Sequence, residues 1–344
     1  MISQQAKFLS RIIKGNLLNQ KIPVVVSLTL TNRCNYDCIY CYGDYFNRKD
    51  KDVPKEKWLG LIKELSHSGT TMIHLGGGEP LLLKDIGDYI NAVKDGGMIC
   101  RMNSNGALVP ERIEQLKRLD SLCISLDGKE ETNDKNRGKG TFKEITEGIA
   151  CAKNNGIPVH VSATITMNNI GALEEIIELS KTIGFNVEFG LPYESTSKTE
   201  TTETTINDEI MKDFIRKVLD YKKMGYPIFY SDKTYQYALN WPVSYKEKLL
   251  KELPSGFEHI ECYMGRFMCF VDANGLVYPC GQLIDTFPAL NFAEVGFQKA
   301  WDNLEEHKPC KTCYCPCFTE FNSVFGLKAE TLWSNIKREL KGFK

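Results

Sequence analysis

Residues 24–43 read VVVSLTLTNRCNYDCIYCYG. The apolar, β-branched run Val24 to Leu30 has the length and composition of a buried strand, and three cysteines follow it at once: Cys34, Cys38 and Cys41, spaced C-x3-C-x2-C. A strand therefore delivers three thiolates into one short loop. Four-iron clusters are held by cysteine thiolates, and three closely spaced ones can reach three irons and leave the fourth iron open. A zinc site closed by a ligand from elsewhere in the chain is the alternative, since structural zinc takes four protein ligands and the next candidate is His67.

Working outward, the chain alternates strand and helix from Lys21 to about Lys223. β-Rich runs at 23–30, 72–75, 98–103, 121–126, 159–166 and 186–191 are separated by helical patterns near 55–68, 84–95, 111–119, 141–155, 172–183 and 207–223. Such alternation predicts a parallel sheet with right-handed crossovers, and six units are too few to close an eight-stranded barrel. The expected fold is α/β: a partial (β/α)6 TIM-like barrel with its active site at the C-terminal ends of the strands.

The other motifs fall at those ends. Strand two runs into Gly76, Gly77, Gly78, Glu79 and Pro80, where glycines let the backbone approach a ligand closely. His74, inside that strand, reads as a core histidine. Strand three ends at Asn103, Ser104, Asn105 and Gly106, a turn that places amides near the cluster mouth. Strand four ends at Ser125, Leu126, Asp127 and Gly128, followed by Arg137, Gly138, Lys139, Gly140, Thr141 and Phe142; Asp127 alone reads equally as a turn residue. Strand five alternates Ser162, Thr164 and Thr166 before Asn168 and Asn169.

Together the cysteine spacing, Tyr40 before the third cysteine, the Gly77-Gly78-Glu79 step and the Ser125 to Phe142 pattern resemble the radical S-adenosylmethionine superfamily. The resemblance implies that Cys34, Cys38 and Cys41 hold a [4Fe-4S] cluster whose open iron chelates S-adenosylmethionine. It implies further that Gly77, Gly78 and Glu79 meet the amino group of that cofactor, that Ser125 and Arg137 meet its ribose and carboxylate, and that Tyr40, Asn105, Asp127, Thr164 and Asn168 complete the pocket.

Residues 262–317 hold seven more cysteines: Cys262, Cys269, Cys280, Cys310, Cys313, Cys315 and Cys317. Two short strands around Asn274-Gly275 are expected to fold the first three together. The region resembles the SPASM and twitch extensions of the same superfamily, which hold auxiliary iron–sulfur clusters, but its compressed C-x2-C-x-C-x-C run and the lack of a cysteine after Cys317 depart from the full SPASM pattern. Seven thiolates cannot fully ligate two cubes, so one or two auxiliary clusters remain open readings, as does a zinc ribbon. The isolated Cys100, Cys123 and Cys151 read as small core residues.

The implied division is an N-terminal helix at 1–21, the partial barrel at 22–223, a Tyr- and Trp-rich bridge at 224–261 and a small Cys-rich α+β domain at 262–344 ending in a helix near 330–340. Residues 195–205, STSKTETTETT, read as a polar loop at the barrel mouth. Thirteen cysteines, an odd number, argue for metal ligation in a reducing, cytoplasmic compartment rather than a disulfide framework. A net charge of −1 gives no electrostatic signature of nucleic-acid binding, and no apolar run is long enough to span a bilayer. The helix at 5–18 is amphipathic and basic, with Lys7, Arg11 and Lys14 opposite Phe8, Leu9, Ile12 and Ile13; it either packs on the barrel or makes peripheral contact with an anionic membrane.

In function, the resemblance implies reductive cleavage of S-adenosylmethionine to a 5'-deoxyadenosyl radical, supplied with electrons by a flavodoxin- or ferredoxin-type donor, and hydrogen abstraction from a substrate. Peptide modification by crosslinking, oxidation or epimerisation, with an auxiliary cluster taking part, is the leading expectation. A dehydrogenase or epimerase acting on a sugar, aminoglycoside, lipid or cofactor precursor is the alternative within the class, and a non-catalytic electron-transfer module the alternative outside it.

Overall fold

The computed structural model describes residues 2–191, 206–306 and 308–341; the polar run at 195–205 lies outside them. After α1 (Ile2–Leu17) the barrel is laid down as β1 (Val25–Thr29), α2 (Lys55–His67), β2 (Met72–Gly76), α3 (Ile86–Asp95), β3 (Ile99–Ser104), α4 (Val109–Leu116), β4 (Ser121–Ser125), α5 (Glu130–Arg137), α6 (Thr141–Asn154), β5 (Val159–Thr164), α7 (Leu173–Leu179), β6 (Asn186–Gly190) and α8 (Asp208–Lys223). β1 to β6 pair in parallel in sequence order. Each crossover carries a helix, as short parallel connections require.

Register separates the two faces of this sheet. Val26, Leu28, Ile73, Leu75, Cys100, Met102, Leu122, Ile124, Val161, Ala163, Val187 and Phe189 share one face, all fully or almost fully buried. This face is apolar because helices cover it. The partners Ser27, His74, Arg101, Cys123, Ser125, His160, Ser162, Thr164 and Glu188 share the other face, the barrel interior. A polar lining there marks the interior as a site rather than a packed core.

The C-terminal third contains α9 (Asp232–Leu239), β7 (Leu249–Leu250), β8 (Met268–Val271), β9 (Leu276–Tyr278), β10 (Leu290–Asn291), α10 (Phe292–Val295), α11 (Phe297–Glu306), β11 (Thr312–Cys313), α12 (Pro316–Phe325) and α13 (Ala329–Lys341). It does not stand apart from the barrel. β8 pairs in parallel with β1, so one nine-stranded sheet runs in the order β10-β9-β8-β1-β2-β3-β4-β5-β6. The expected hairpin at Asn274-Gly275 is present as β8 and β9, with Gly275 at φ +92° to close it. α12 reaches the interior, where the Phe321 and His74 rings lie 5.7 Å apart.

α1 packs rather than projecting. Ile12 is fully buried, Asn16 Nδ2 donates to the Phe325 carbonyl at 2.8 Å, and a Cβ on Gly15 would sit 2.4 Å from the Phe267 ring. No described helix is long and apolar enough to cross a membrane.

Candidate active site

The loop after β1 is zipped against the glycines that end β2. Gly78 N donates to Thr31 O at 2.9 Å and Glu79 N to Arg33 O at 2.8 Å. A Cβ on Gly78 would stand 2.3 Å from Arg33 O, so only glycine permits this approach. Asp52 fastens the loop's start by accepting from Thr31 Oγ1 at 2.6 Å and Asn32 N at 2.7 Å. Further along, Tyr36 Oη donates to Glu144 at 2.6 Å and Ile39 N to Asn136 O at 3.0 Å, which binds the loop to α6 and α5.

This anchoring brings the three thiols together. Burial pushes the Cys34 thiol up to about 12, an N–H from Tyr36 at 3.5 Å opposes the shift, and the charges of Glu79, Cys38 and Cys41 add to it. Arg137 Nη1 lies 4.0 Å from Cys38 Sγ. Three half-buried thiols beside a carboxylate form a donor set that is stable as thiolates only around a strongly positive centre, and it fits a cubane with one position left over.

Around them most of the predicted pocket residues lie on the rim in two hydrogen-bonded groups, one centred on Glu79 and one on Asp127. Glu79, fully buried, accepts from Leu81 N, Ser104 Oγ and Asn105 N at 2.9, 2.9 and 2.7 Å; burial nevertheless holds its pKa up at about 7. Asn105 also donates to Asn35 at 2.8 Å. Asp127 is no plain turn residue: it is fully buried, and its carboxylate accepts from Arg137 Nε at 2.9 Å, Arg137 Nη2 at 3.2 Å, Tyr40 Oη at 2.7 Å, Asn136 Nδ2 at 3.3 Å and Thr164 N at 3.0 Å. The Arg137 guanidinium also lies 5.5 Å from the Tyr40 ring centroid. Asp127 thus ties the cysteine loop, β4, β5 and α5 into one unit. Asn168 Nδ2 donates to Asn136 at 3.1 Å, and Ser125 faces the interior opposite Ser162.

Buried amides complete this rim, of which Asn133 and Asn136 carry no sequence signal. Asn133 accepts from Asp127 N at 3.2 Å, Asn136 joins Asp127, Thr166 and Asn168, and Asn169 donates to the Asp127 and Thr164 carbonyls at 3.1 and 2.8 Å. Asn133 and Asn136 lie on α5, which has no apolar stripe and so escapes a periodicity reading, and only tertiary closure buries them.

The C-terminal thiols divide. Cys280 and Cys313 are pushed well up, first by burial and then by neighbouring thiolates, Cys262, Cys310 and Cys315 for the former, Cys315, Cys262 and Cys280 for the latter. Cys315 and Cys317 sulfurs are 3.3 Å apart. Pairing of β7 with β11, and the N-terminus of α12 directly after Cys315, hold this group in place. Cys269 is not drawn into it. Its register partner is Val26, which puts it on the helix-covered apolar face of the sheet, and Lys21 is the charge that acts on it. Six thiols, not seven, form the second group, because the alternation of a strand points residue 269 away from it.

A partial parallel barrel with a three-cysteine loop at its C-terminal mouth defines the class. Residues 28–183, most of the barrel, match the radical SAM superfamily. Among its relatives, an AdoMet-dependent heme synthase of Methanosarcina barkeri is 26% identical over 297 residues, covering 82% of this chain and 83% of that protein. The mycofactocin maturase MftC of Mycolicibacterium smegmatis is 24% identical over 303 residues, covering 82% of this chain and 71% of MftC. Streptococcus suis SuiB, in a structure bound to the precursor peptide SuiA, shares the fold with a TM-score of 0.64 at 16% identity, over 85% of this chain and 67% of SuiB.

Proposed function

We propose that this protein is a radical SAM oxidoreductase or transferase that modifies a peptide, with Cys34, Cys38 and Cys41 as ligands of its reductive [4Fe-4S] cluster. The observation that carries the reading is the convergence of these thiols beside Glu79 and Arg137 at the mouth of a barrel whose interior is polar. When bound, the cluster supplies the electron that cleaves the sulfonium of S-adenosylmethionine to a carbon radical. The chain's own residues do the rest. Gly77 and Gly78 allow the cysteine loop to close on the end of β2, while Asp127 positions Arg137 and Tyr40, leaving Arg137 Nη1 directed toward Cys38. Glu79, Asn105, Ser125, Thr164 and Asn168 line the pocket with donors and acceptors suited to an amino acid and a ribose.

Cys262, Cys280, Cys310, Cys313, Cys315 and Cys317 would supply the ligands of one or two auxiliary clusters, four thiolates to a fully held cube, that exchange electrons with substrate, and a flavodoxin- or ferredoxin-type protein would feed the first cluster. The maturase name of MftC and the SuiA-bound SuiB structure support a peptide substrate. The mixed-charge interior, with Arg101, His74 and Glu188 facing inward, suits a polar side chain better than a lipid. The heme synthase relative favours a cofactor precursor as the second reading.

Anaerobically reconstituted protein given dithionite and S-adenosylmethionine should release 5'-deoxyadenosine, and Cys38→Ala should not. Equal release by both would sink the proposal. Transfer of deuterium into 5'-deoxyadenosine from a labelled peptide, and not from a labelled porphyrin precursor, decides between the two substrate readings.

A further inference from the structure

Three inward-facing side chains on neighbouring strands lie outside the cofactor rim. Cys123 on β4 is the register partner of His160 on β5, and Glu188 on β6 lies one inward position further along. Cys123 Sγ and Glu188 Oε1 are 3.8 Å apart, His160 Nε2 and Glu188 Oε2 are also 3.8 Å apart, and one ligand atom from each residue lies within 4.8 Å of the other two. Cys123 and His160 are buried, at 4% and 6% exposed, and the Glu188 side chain is 16% exposed.

We propose that Cys123, His160 and Glu188 form a mononuclear site for a zinc-type divalent cation, with three protein ligands and a fourth position open to the barrel interior. One thiolate, one imidazole and one carboxylate make a borderline-soft set that zinc accepts, and magnesium or calcium, which want oxygen ligands, do not. Zinc bonds of about 2.0–2.3 Å at tetrahedral angles place neighbouring ligand atoms roughly 3.4–3.6 Å apart. The two 3.8 Å contacts end on different carboxylate oxygens, Oε1 toward Cys123 and Oε2 toward His160, and one ligand atom from each residue lies within 4.8 Å of the others, so rotation of the Glu188 carboxylate and the Cys123 side chain would bring one oxygen, the sulfur and the nitrogen to that spacing.

The outer contacts agree. Ser121 Oγ lies 3.0 Å from His160 Nδ1, which leaves Nε2 directed at the carboxylate, and the ring stacks on Phe229 at 4.6 Å between centroids. Such a contact holds the ring's orientation, the Ser121 hydroxyl accepting from Nδ1–H when Nε2 ligates the cation. Tyr230 adds a hydroxyl beside Glu188. On binding, Cys123 releases its proton to solvent, and one thiolate plus one carboxylate offset the charge of the dication, with the inward-facing Arg101 a nearby cation that also acts on Cys123. Without a cation the thiol is held protonated, burial and Glu188 both acting against its ionisation.

The site lies two residues below Ser125 along β4, about 7 Å deeper in the barrel than the cofactor rim. Its open position is placed to take water or an electron-pair donor on a substrate lying between the two. The inference stands independently of which substrate the radical reaction uses.

The test loads the iron sites first. Holoenzyme reconstituted with iron and sulfide, desalted, given one equivalent of zinc chloride and desalted again should retain about one zinc per chain. Its zinc absorption spectrum should show a mixed shell, one sulfur near ~2.3 Å with nitrogen and oxygen near ~2.0 Å. His160→Gln and Glu188→Gln should each weaken retention by about a hundredfold or more, and Ser121→Ala by about tenfold. No retained zinc, a shell of sulfur alone as expected for zinc on the iron-site cysteines, or equal retention by His160→Gln would each overturn the proposal; the wild-type spectrum decides even if a variant fails to fold.

Discussion

Replacing Asp127 with Asn tests whether the active-site mouth is held by one buried ion pair. In the native rim Oδ2 accepts from Tyr40, Asn136 and Arg137 Nε, and Oδ1 from Arg137 Nη2 and the Thr164 amide. An amide can keep one of these oxygen positions. At the other, its NH2 group confronts the donors of Arg137 and Asn136, and Arg137, with a side chain 6% exposed, is left buried without a countercharge. Breaking a buried pair on one side costs roughly 3–5 kcal/mol. At about 2 °C per kcal/mol for a chain of this size, the melting temperature should fall by roughly 6–10 °C. Removing both charges, as in Asp127→Leu with Arg137→Met, should cost less than the two single changes added together, with a coupling energy of roughly 2 kcal/mol or more. Thermal melts of the four proteins, with iron content per chain as a second readout, make the comparison. Losses that add to within about 0.5 kcal/mol would refute the argument that Asp127 and Arg137 act as a unit.

Other consequences are as direct. Gly78→Ala places a Cβ against the Arg33 carbonyl, so the loop must leave β2; iron bound at the first cluster should be largely lost while the circular dichroism of the barrel remains. Cys269→Ala should leave the iron content of reconstituted protein unchanged, whereas Cys280→Ala, at the centre of the C-terminal thiols, should lower it by up to about four irons per chain. Burial, reinforced by Arg101, lowers the His74 pKa from 6.5 to about 3. Between those two values the unfolded chain therefore binds one more proton at this residue than the native chain. Stability should fall as pH drops through that window by about 1.4 kcal/mol per pH unit, and His74→Asn should remove that part of the slope in urea melts between pH 6 and roughly pH 4.5. Glu79→Gln keeps the acceptor for Leu81 N and Ser104 Oγ but turns an NH2 toward Asn105 N; a loss of roughly 1–3 kcal/mol in thermal stability is expected, and an unchanged melting temperature would show the third hydrogen bond to be dispensable.

Local pattern was enough for much of this molecule. The run Val24 to Leu30, the glycines at 76–78 and the strand–helix alternation are short-range signals, and β1 to β6 formed within two residues of where periodicity put them. The three-cysteine loop was legible for the same reason, because its spacing is contained in eight residues. Long-range contact decided the rest. Pairing of β8 with β1 across more than two hundred residues merged the cysteine-rich region with the barrel's sheet, and its register turned Cys269 into the apolar face. Closure of the interior made Asp127 the centre of five hydrogen bonds and brought Cys123, an isolated cysteine in the sequence, against His160 and Glu188. A sequence displays which thiols are neighbours along the chain; which face a strand turns toward them depends on register, and register is set only when the whole sheet assembles.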